Sequence, residues 1–267
     1  MTAYDEKIAV VTGAAGGMGA AVAARLAAAG WPLLLCDLDA GRLQPIAAEF
    51  RTGGRSAEIL AGDIADPAFP ARLTAALAGR EVGMFIHTAG LSPTMADGER
   101  ILRVNFDATA RLVEAVRPRM AKAGCAVLIA SSAAHMVKSD EIDRALTEAV
   151  AARSSTGLLP LAPRPEMAYP ISKRAVIRLV AHEATAFGER GARIVSISPG
   201  LIDTAMTRTE QTASEQMKPL LARTPLRRLG TADEIASVAM FLCSKDASYV
   251  SGCDIRVDGG MLAALGL

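Results

Sequence analysis

The sequence is poor in aromatic residues, 4% of its 267 positions, and in uncompensated charge, since 29 lysines and arginines face 28 aspartates and glutamates. With a net charge of +1 and no arginine-rich or aromatic-interleaved stretch, nucleic acid is not an expected partner. No apolar run approaches the roughly 20 residues that span a bilayer, and the alanine-rich stretch Ala20 to Ala29 is interrupted by Arg25, so a membrane is not expected either. Met1 to Glu6 offers neither the basic nor the apolar region of a secretory leader. The cysteines Cys36, Cys125, Cys243 and Cys253 lack CxxC spacing and read as reduced core thiols of a cytoplasmic protein. His87, His135 and His182 show no metal-ligand spacing, so no metal is expected.

What the sequence does hold is apolar residue, 51% of it, which with so few aromatics implies a core of alanine, valine, leucine and isoleucine. Apolar runs at Ile8 to Val11, Leu33 to Cys36, Glu58 to Ala61, Met84 to His87, Ala126 to Ala130, Arg193 to Ser198 and Asp254 to Val257 alternate with amphipathic stretches. Short buried strands separated by helices predict an α/β fold with a doubly wound parallel sheet covered on both faces. No Pro/Gly/Ser-rich linker divides the chain, so residues 1–267 are expected to form one domain. Ligands of such sheets bind at the carboxyl ends of the strands, which directs attention to the residues that follow each run.

After the first run comes Thr12-Gly13-Ala14-Ala15-Gly16-Gly17-Met18-Gly19, a turn able to cradle a dinucleotide pyrophosphate. After the second comes Asp37, placed where a carboxylate can accept from both adenosine ribose hydroxyls. A 2′-phosphate there would meet like charge, and Leu38 supplies no arginine to neutralise it, so NAD is expected over NADP. Capping the next helix is the alternative use for Asp37, although Asp39 can serve it. Much further on, Tyr169-Pro170-Ile171-Ser172-Lys173 puts a phenol and an ammonium on one helical face, where the cation makes the phenol a usable proton carrier.

In this order the motifs resemble the short-chain dehydrogenase/reductase family in its single-domain form, from about Lys7 to Gly260. The resemblance implies a Rossmann fold, a nicotinamide cofactor and interconversion of a secondary alcohol and a ketone. Gly13, Gly17 and Gly19 match the family's TGxxxGxG turn around Met18, while Gly16 stands where NADP-dependent members often carry a basic residue. Asp63, followed by Ile64, matches an aspartate beside the adenine ring, with Asp66 the expected helix cap. Ala89 and Gly90 match small residues that admit the cofactor ribose, although His87-Thr88 replaces the usual pair of asparagines and puts the role of their amides in doubt. His87 itself, at a buried strand end, is expected to be structural. Asn105 matches the asparagine that holds a water in the proton relay, a local helix kink being the plain alternative. Ser132 matches the serine that orients the substrate oxygen, with Ser131 the second choice. In Pro199-Gly200-Leu201-Ile202-Asp203-Thr204, Ile202 and Thr204 match contacts to the nicotinamide carboxamide, and Ala205 to Arg223 is expected to form a mobile substrate loop.

The resemblance fails between Ser132 and Tyr169, which stand 37 positions apart, a wider spacing than the family's. The insertion, about residues 137–166, is loosely similar to one in the bacterial 3α-hydroxysteroid dehydrogenase/carbonyl reductase branch. Its first part, Asp140 to Arg153, places Ile142, Ala145, Leu146, Ala149 and Val150 on one helical face. Its second, Thr156 to Pro165, reads as an apolar loop stiffened by prolines. A lid, a packing appendage and a subunit contact are all open. Family tetramers use the helix before the serine strand and the helix of the tyrosine, which an insertion here would obstruct, so a homodimer is favoured among homo-oligomers. The expected substrate is a small hydrophobic or cyclic alcohol or ketone. A sugar-nucleotide epimerase or dehydratase, which needs a larger C-terminal domain, and a cofactor-binding regulatory or scaffold protein are the rival readings.

Overall fold

A computed structural model describes residues 7–205, 207–208 and 217–267. Seven parallel strands, β1 (Lys7–Thr12), β2 (Leu33–Asp37), β3 (Ala57–Ala61), β4 (Glu81–His87), β5 (Met120–Ile129), β6 (Arg193–Pro199) and β9 (Asp254–Val257), form a sheet in the order β3-β2-β1-β4-β5-β6-β9. The short strands β7 (Ile202–Asp203) and β8 (Gly230–Thr231) pair separately. Each apolar run lies in its expected strand, except that Ala130 falls one residue past the end of β5. The largest extension is β5, which begins at Met120, with its register against β4 broken between Val82 and Met84.

The strands are apolar throughout because both faces are covered. Along β1, Ile8 and Val10 enter one core while Ala9 and Val11 enter the other. The first core takes Leu73 from α3 (Phe69–Ala76), Val113 from α5 (Thr109–Val116) and Val176 and Leu179 from α7 (Pro165–Glu189). The second takes Val22 and Leu26 from α1 (Gly17–Ala28), Leu43 from α2 (Ala40–Thr52) and Ile235 and Ala239 from α9 (Ala232–Cys243). Strand order reverses between β1 and β4, which opens a crevice at their carboxyl ends.

The insertion is a docked appendage. Its helix α6 (Asp140–Ala152) is capped by Ser139, whose hydroxyl accepts from Ile142 N at 3.3 Å, and buries Leu146, Ala149 and Val150. Asp143 receives both arms of the Arg174 guanidinium at 2.8 Å. Arg153, left-handed at φ 51° as the helix ends, reaches Glu183 on α7 at 2.8 Å and Glu114 on α5 at 3.9 Å. Glu183 is 1% exposed and also bound by Arg117 at 2.6 Å, so two guanidiniums balance one buried carboxylate. The second part is a 3-10 turn, Thr156–Leu161, rather than a loop, and it buries Leu158. Ser155 N donates to Asp107 at 2.6 Å, and a Cβ on Gly98, which opens α4 (Gly98–Leu102), would lie 2.8 Å from Ala162 O. With anchors at both ends and the middle, the segment has none of the loose contacts of a lid.

Two further expectations change. Cys36, Cys125 and Cys243 are buried, but Cys253, just ahead of the edge strand β9, is exposed. Asp66 accepts from Ala68 N at 2.9 Å one turn ahead of α3, leaving Ala68 in the cap position. Met1 to Glu6 and most of the middle of the expected substrate loop lie outside the described residues; the loop's end forms α8 (Met217–Arg223). Among the described residues no helix is long and apolar enough to cross a membrane, and no cluster of three or more metal-ligating side chains occurs.

Candidate active site

The glycine turn is tight because backbones meet there. Gly13 is left-handed at φ +69°, and a Cβ on it would lie 2.7 Å from Ala89 N; one on Gly19 would lie 2.1 Å from Gly13 O. Thr88, in place of an asparagine, donates its hydroxyl to Thr12 O at 2.8 Å and so ties the end of β4 to this turn. A Cβ on Gly17 would lie 3.0 Å from Thr204 Cγ2, which seats the segment after β6 against the same turn. Ile202 and Thr204 are buried, and Gly200 packs on Asp258. The helix that follows, α1, has neither a side-chain cap nor an acidic residue in its first turn. Unsatisfied N–H groups at the amino end of a 12-residue helix are what a pyrophosphate needs, so this turn, with Met18 in it, fits the dinucleotide.

At the end of β2, Asp37 accepts from Ala15 N at 2.9 Å and from Leu38 N at 2.8 Å, while Asp39 caps α2 by accepting from Gly41 N. The capping alternative therefore falls to Asp39. Leu38 is 69% exposed beside the carboxylate. Arg42, in the first turn of α2, donates to Ala15 O at 2.7 Å, so one residue of the glycine turn is held by a carboxylate on its N–H and a guanidinium on its carbonyl. Its signal in the sequence was the helical turn that separates it from Asp39. Asp63 accepts from Ala65 N at 2.8 Å and is ion-paired to Arg100 on α4; although partial burial works against it, the Arg100 hydrogen bond holds this carboxyl below the usual range. Ile64 behind it is in the core.

Tyr169 and Lys173 share a face of α7, with the ammonium 6.0 Å from the phenol ring centroid. Lys173 is 6% exposed and donates to Ile129 O, at the end of β5, at 2.9 Å. Burial lowers it from 10.5 to about 8. A Cβ on Gly90 would lie 3.1 Å from Asn105 Oδ1 and 3.2 Å from Lys173 Nζ, so glycine is needed where β4's end, Asn105 and the lysine converge. Asn105 sits in a π-helical turn, Arg103–Ala108, which satisfies the kink alternative. Its side chain is spent on position: Oδ1 accepts from Leu91 N at 2.7 Å, and Nδ2 donates to Leu91 O at 2.9 Å and Ser172 Oγ at 3.1 Å. Ser172 in turn donates to Tyr169 O at 2.7 Å.

Ser131 and Ser132 differ in occupation. Ser131 Oγ accepts from Ala133 N at 3.2 Å as it caps the 3-10 turn Ser132–Met136, whereas the Ser132 hydroxyl has no partner within the described protein. That turn packs against α7. His87 lies between Thr12 Oγ1 at 2.7 Å and Thr109 Oγ1 at 2.8 Å; burial, and then the Lys173 charge, push it down to about 3. It is a neutral, hydrogen-bonded histidine of the core.

Residues 7–142 match the family model for short chain dehydrogenases, and residues 144–262 match the model described as enoyl-(acyl carrier protein) reductase. The chain is 32% identical over 262 residues to a short-chain dehydrogenase/reductase of Alternaria brassicicola, covering 94% of each. It is 29% identical over 264 residues to the 7alpha-hydroxysteroid dehydrogenase of Escherichia coli strain K12, covering 96% of this chain and 94% of that one. A blue fluorescent protein from a metagenomic library, solved in complex with NADPH, superposes with a TM-score of 0.77 at 26% identity, covering 96% of this chain and 97% of that one.

The lowered Lys173 has a consequence for the apo protein. Between about 8 and 10.5 the unfolded chain binds a proton at this residue that the folded chain does not, so its burial cost is full below that window and is relieved as pH rises through it. Lys173→Met is therefore expected to abolish turnover yet stabilise the cofactor-free protein at pH 7, by up to about 3 kcal/mol. Urea unfolding at pH 7 and pH 10 checks this; a variant less stable than wild type at pH 7 contradicts it.

Proposed function

The chain belongs to the short-chain dehydrogenase/reductase family of oxidoreductases, and from that premise we propose that it interconverts a secondary alcohol and a ketone with NAD as the preferred cofactor. What carries this reading is the convergence of Lys173 and Asn105 at Gly90, next to the glycine turn, with Tyr169 on the same face of α7 as the lysine and the Ser132 hydroxyl left without a partner among the described residues. Residues 1–267 act as one domain, with the insertion at about 137–166 part of its wall.

The cofactor when bound supplies the hydride acceptor or donor. In oxidation the Tyr169 phenolate takes the hydroxyl proton while Ser132 orients the substrate oxygen. Lys173 stabilises the phenolate, holds the nicotinamide ribose hydroxyls and passes the proton to water in the turn of Asn105. Gly13, Gly17, Met18 and Gly19 carry the pyrophosphate, Asp37 and Leu38 the adenosine ribose, and Asp63 and Ile64 the adenine side. Ala89, Gly90, Pro199, Gly200, Ile202 and Thr204 border the nicotinamide. The relative named 7alpha-hydroxysteroid dehydrogenase supports a hydrophobic, cyclic substrate, as do Leu91, Ala96, Val137 and Leu159, which pack on the same core as Tyr169. The three buried thiols, of which Cys36 is pushed up to about 12 chiefly by burial, support a reducing, cytoplasmic setting.

Tyr169→Phe is expected to remove nearly all turnover and leave NADH affinity within a few fold, because the lost oxygen carries the proton and not the cofactor. A panel of cyclic and steroid-like alcohols, read by NADH absorbance, supplies the assay; a variant within tenfold of wild type contradicts the mechanism.

Cofactor choice is set by two opposed charges at residue 15. Asp37 should make catalytic efficiency with NAD exceed that with NADP by at least about tenfold, roughly 1.4 kcal/mol. Asp37→Ala should narrow the ratio, and Arg42→Ala should widen it by weakening use of NADP alone. Equal use of both cofactors by the wild type is the outcome that contradicts this reading.

For assembly we propose a homodimer. The end of α6 lies across α5 and α7, while β9 ends the sheet and Tyr249 and Phe241 stand 103% and 52% exposed. Light scattering is expected to give a dimer, and a tetramer would show that the insertion does not block the α5/α7 face.

A further inference from the structure

The Ser132 hydroxyl makes no hydrogen bond within the described protein, so its position is whatever the surrounding 3-10 turn imposes. Within that turn the backbone bond Ala134 N to Ser131 O, at 3.0 Å, is local. The side chain that reaches out of the turn to the sheet is His135. Its Nε2 lies 2.9 Å from Asp254 Oδ2 and 3.3 Å from Ser198 Oγ, and its Nδ1 lies 3.3 Å from Arg256 Nη2. A guanidinium can only donate, so Nδ1 accepts and the proton sits on Nε2, donated to Asp254. Asp254 is itself 8% exposed and held on its other oxygen by Ser196 Oγ at 2.6 Å. Arg256 completes the chain by donating to Leu267 O at 2.9 Å.

The strand at the far end of this chain is β9, whose Asp254 and Arg256 are in register with Ser196 and Ser198 of β6. Both ring nitrogens are thus engaged by Asp254, Ser198 and Arg256, which leaves the imidazole no part in proton transfer to a substrate. We propose that His135 is a positioning residue: it pins the turn that carries Ser132 to the edge strand through Asp254 and so fixes the hydroxyl that orients the substrate oxygen. The inference rests on the role given to Ser132. It requires a donor at Nε2 and not a charge, so a glutamine, whose amide nitrogen can occupy a similar place, should serve where alanine does not.

The test is a double-mutant cycle on oxidation of cyclohexanol or a 7α-hydroxysteroid, whichever the wild type turns over, with NADH dissociation constants measured alongside. His135→Ala is expected to lower kcat by about 10- to 100-fold, as a misplaced orienting group does, with NADH affinity within about twofold. His135→Gln should recover to within about fivefold of wild type. The variant Ser132→Ala/His135→Ala should be no slower than Ser132→Ala, because the histidine acts through the serine. Multiplicative losses in the double variant, or His135→Ala within threefold of wild type while Ser132→Ala is inactive, would overturn the positioning role. Full turnover by Ser132→Ala would overturn the role of the serine and this inference with it. Should His135→Ala not fold, Asp254→Ala, which removes the acceptor for Nε2, takes its place in the same cycle, with the same loss and the same non-additivity with Ser132→Ala expected, and additivity again overturning the proposal.

Discussion

A lysine that gives up nearly all its water must be held by the protein, and among the described residues Lys173 donates to one carbonyl, Ile129 O. The neighbours are arranged around that poorly solvated cation. Gly90 has no side chain because a Cβ would press on the ammonium and on Asn105 together. His87 stays neutral because burial disfavours its charged form and, second, because the Lys173 cation would repel it, and its two threonine partners suit the uncharged ring. Asn105 spends its amide on Leu91 and Ser172, which fixes the π-helical turn against the helix that carries the lysine. A site that leaves its ammonium short of partners is costly to the empty fold, and the shortage is what a polar ligand can relieve.

The insertion shows the same economy of anchoring. Burying Glu183 between Arg117 and Arg153 gains little over an apolar core, but removing one partner would strand a charge, so the network resists rearrangement. Asp143 and Asp107 fix the segment at its start and after its helix. The segment therefore keeps a fixed shape against α5 and α7.

The strands were legible in the sequence because burial on both faces makes each an unbroken apolar run, and residues at their carboxyl ends were legible because turn chemistry is local. Tyr169 and Lys173 needed only helical spacing. What remained hidden depends on partners distant in the chain. Nothing near Asp63 announces Arg100, 37 positions on, and nothing near His135 announces Asp254, 119 positions on. Cys253 is exposed just ahead of the strand that ends the sheet, and which strand ends the sheet is a fact of topology rather than of pattern. Arg42 was nearer to hand, since it follows the capped start of a helix by one turn, but its aim at Ala15 depends on how α2 lies beside the glycine turn.

That aim alters the meaning of Asp37. A carboxylate at the end of the second strand argues against a 2′-phosphate when it stands free, but here both its oxygens already hold backbone N–H groups, which spread its charge into the turn. The Arg42 guanidinium on the carbonyl of the same residue adds a cation on the rim where Gly16 supplies none. Both side chains are near solvent, where screening limits each charge's reach to about 10 Å, so the balance is local and modest in size. On the proposed reading, discrimination between the two cofactors rests on a difference of opposed terms rather than on one repulsion, and because both side chains also hold Ala15, removing either one changes the anchoring of the glycine turn as well as its charge.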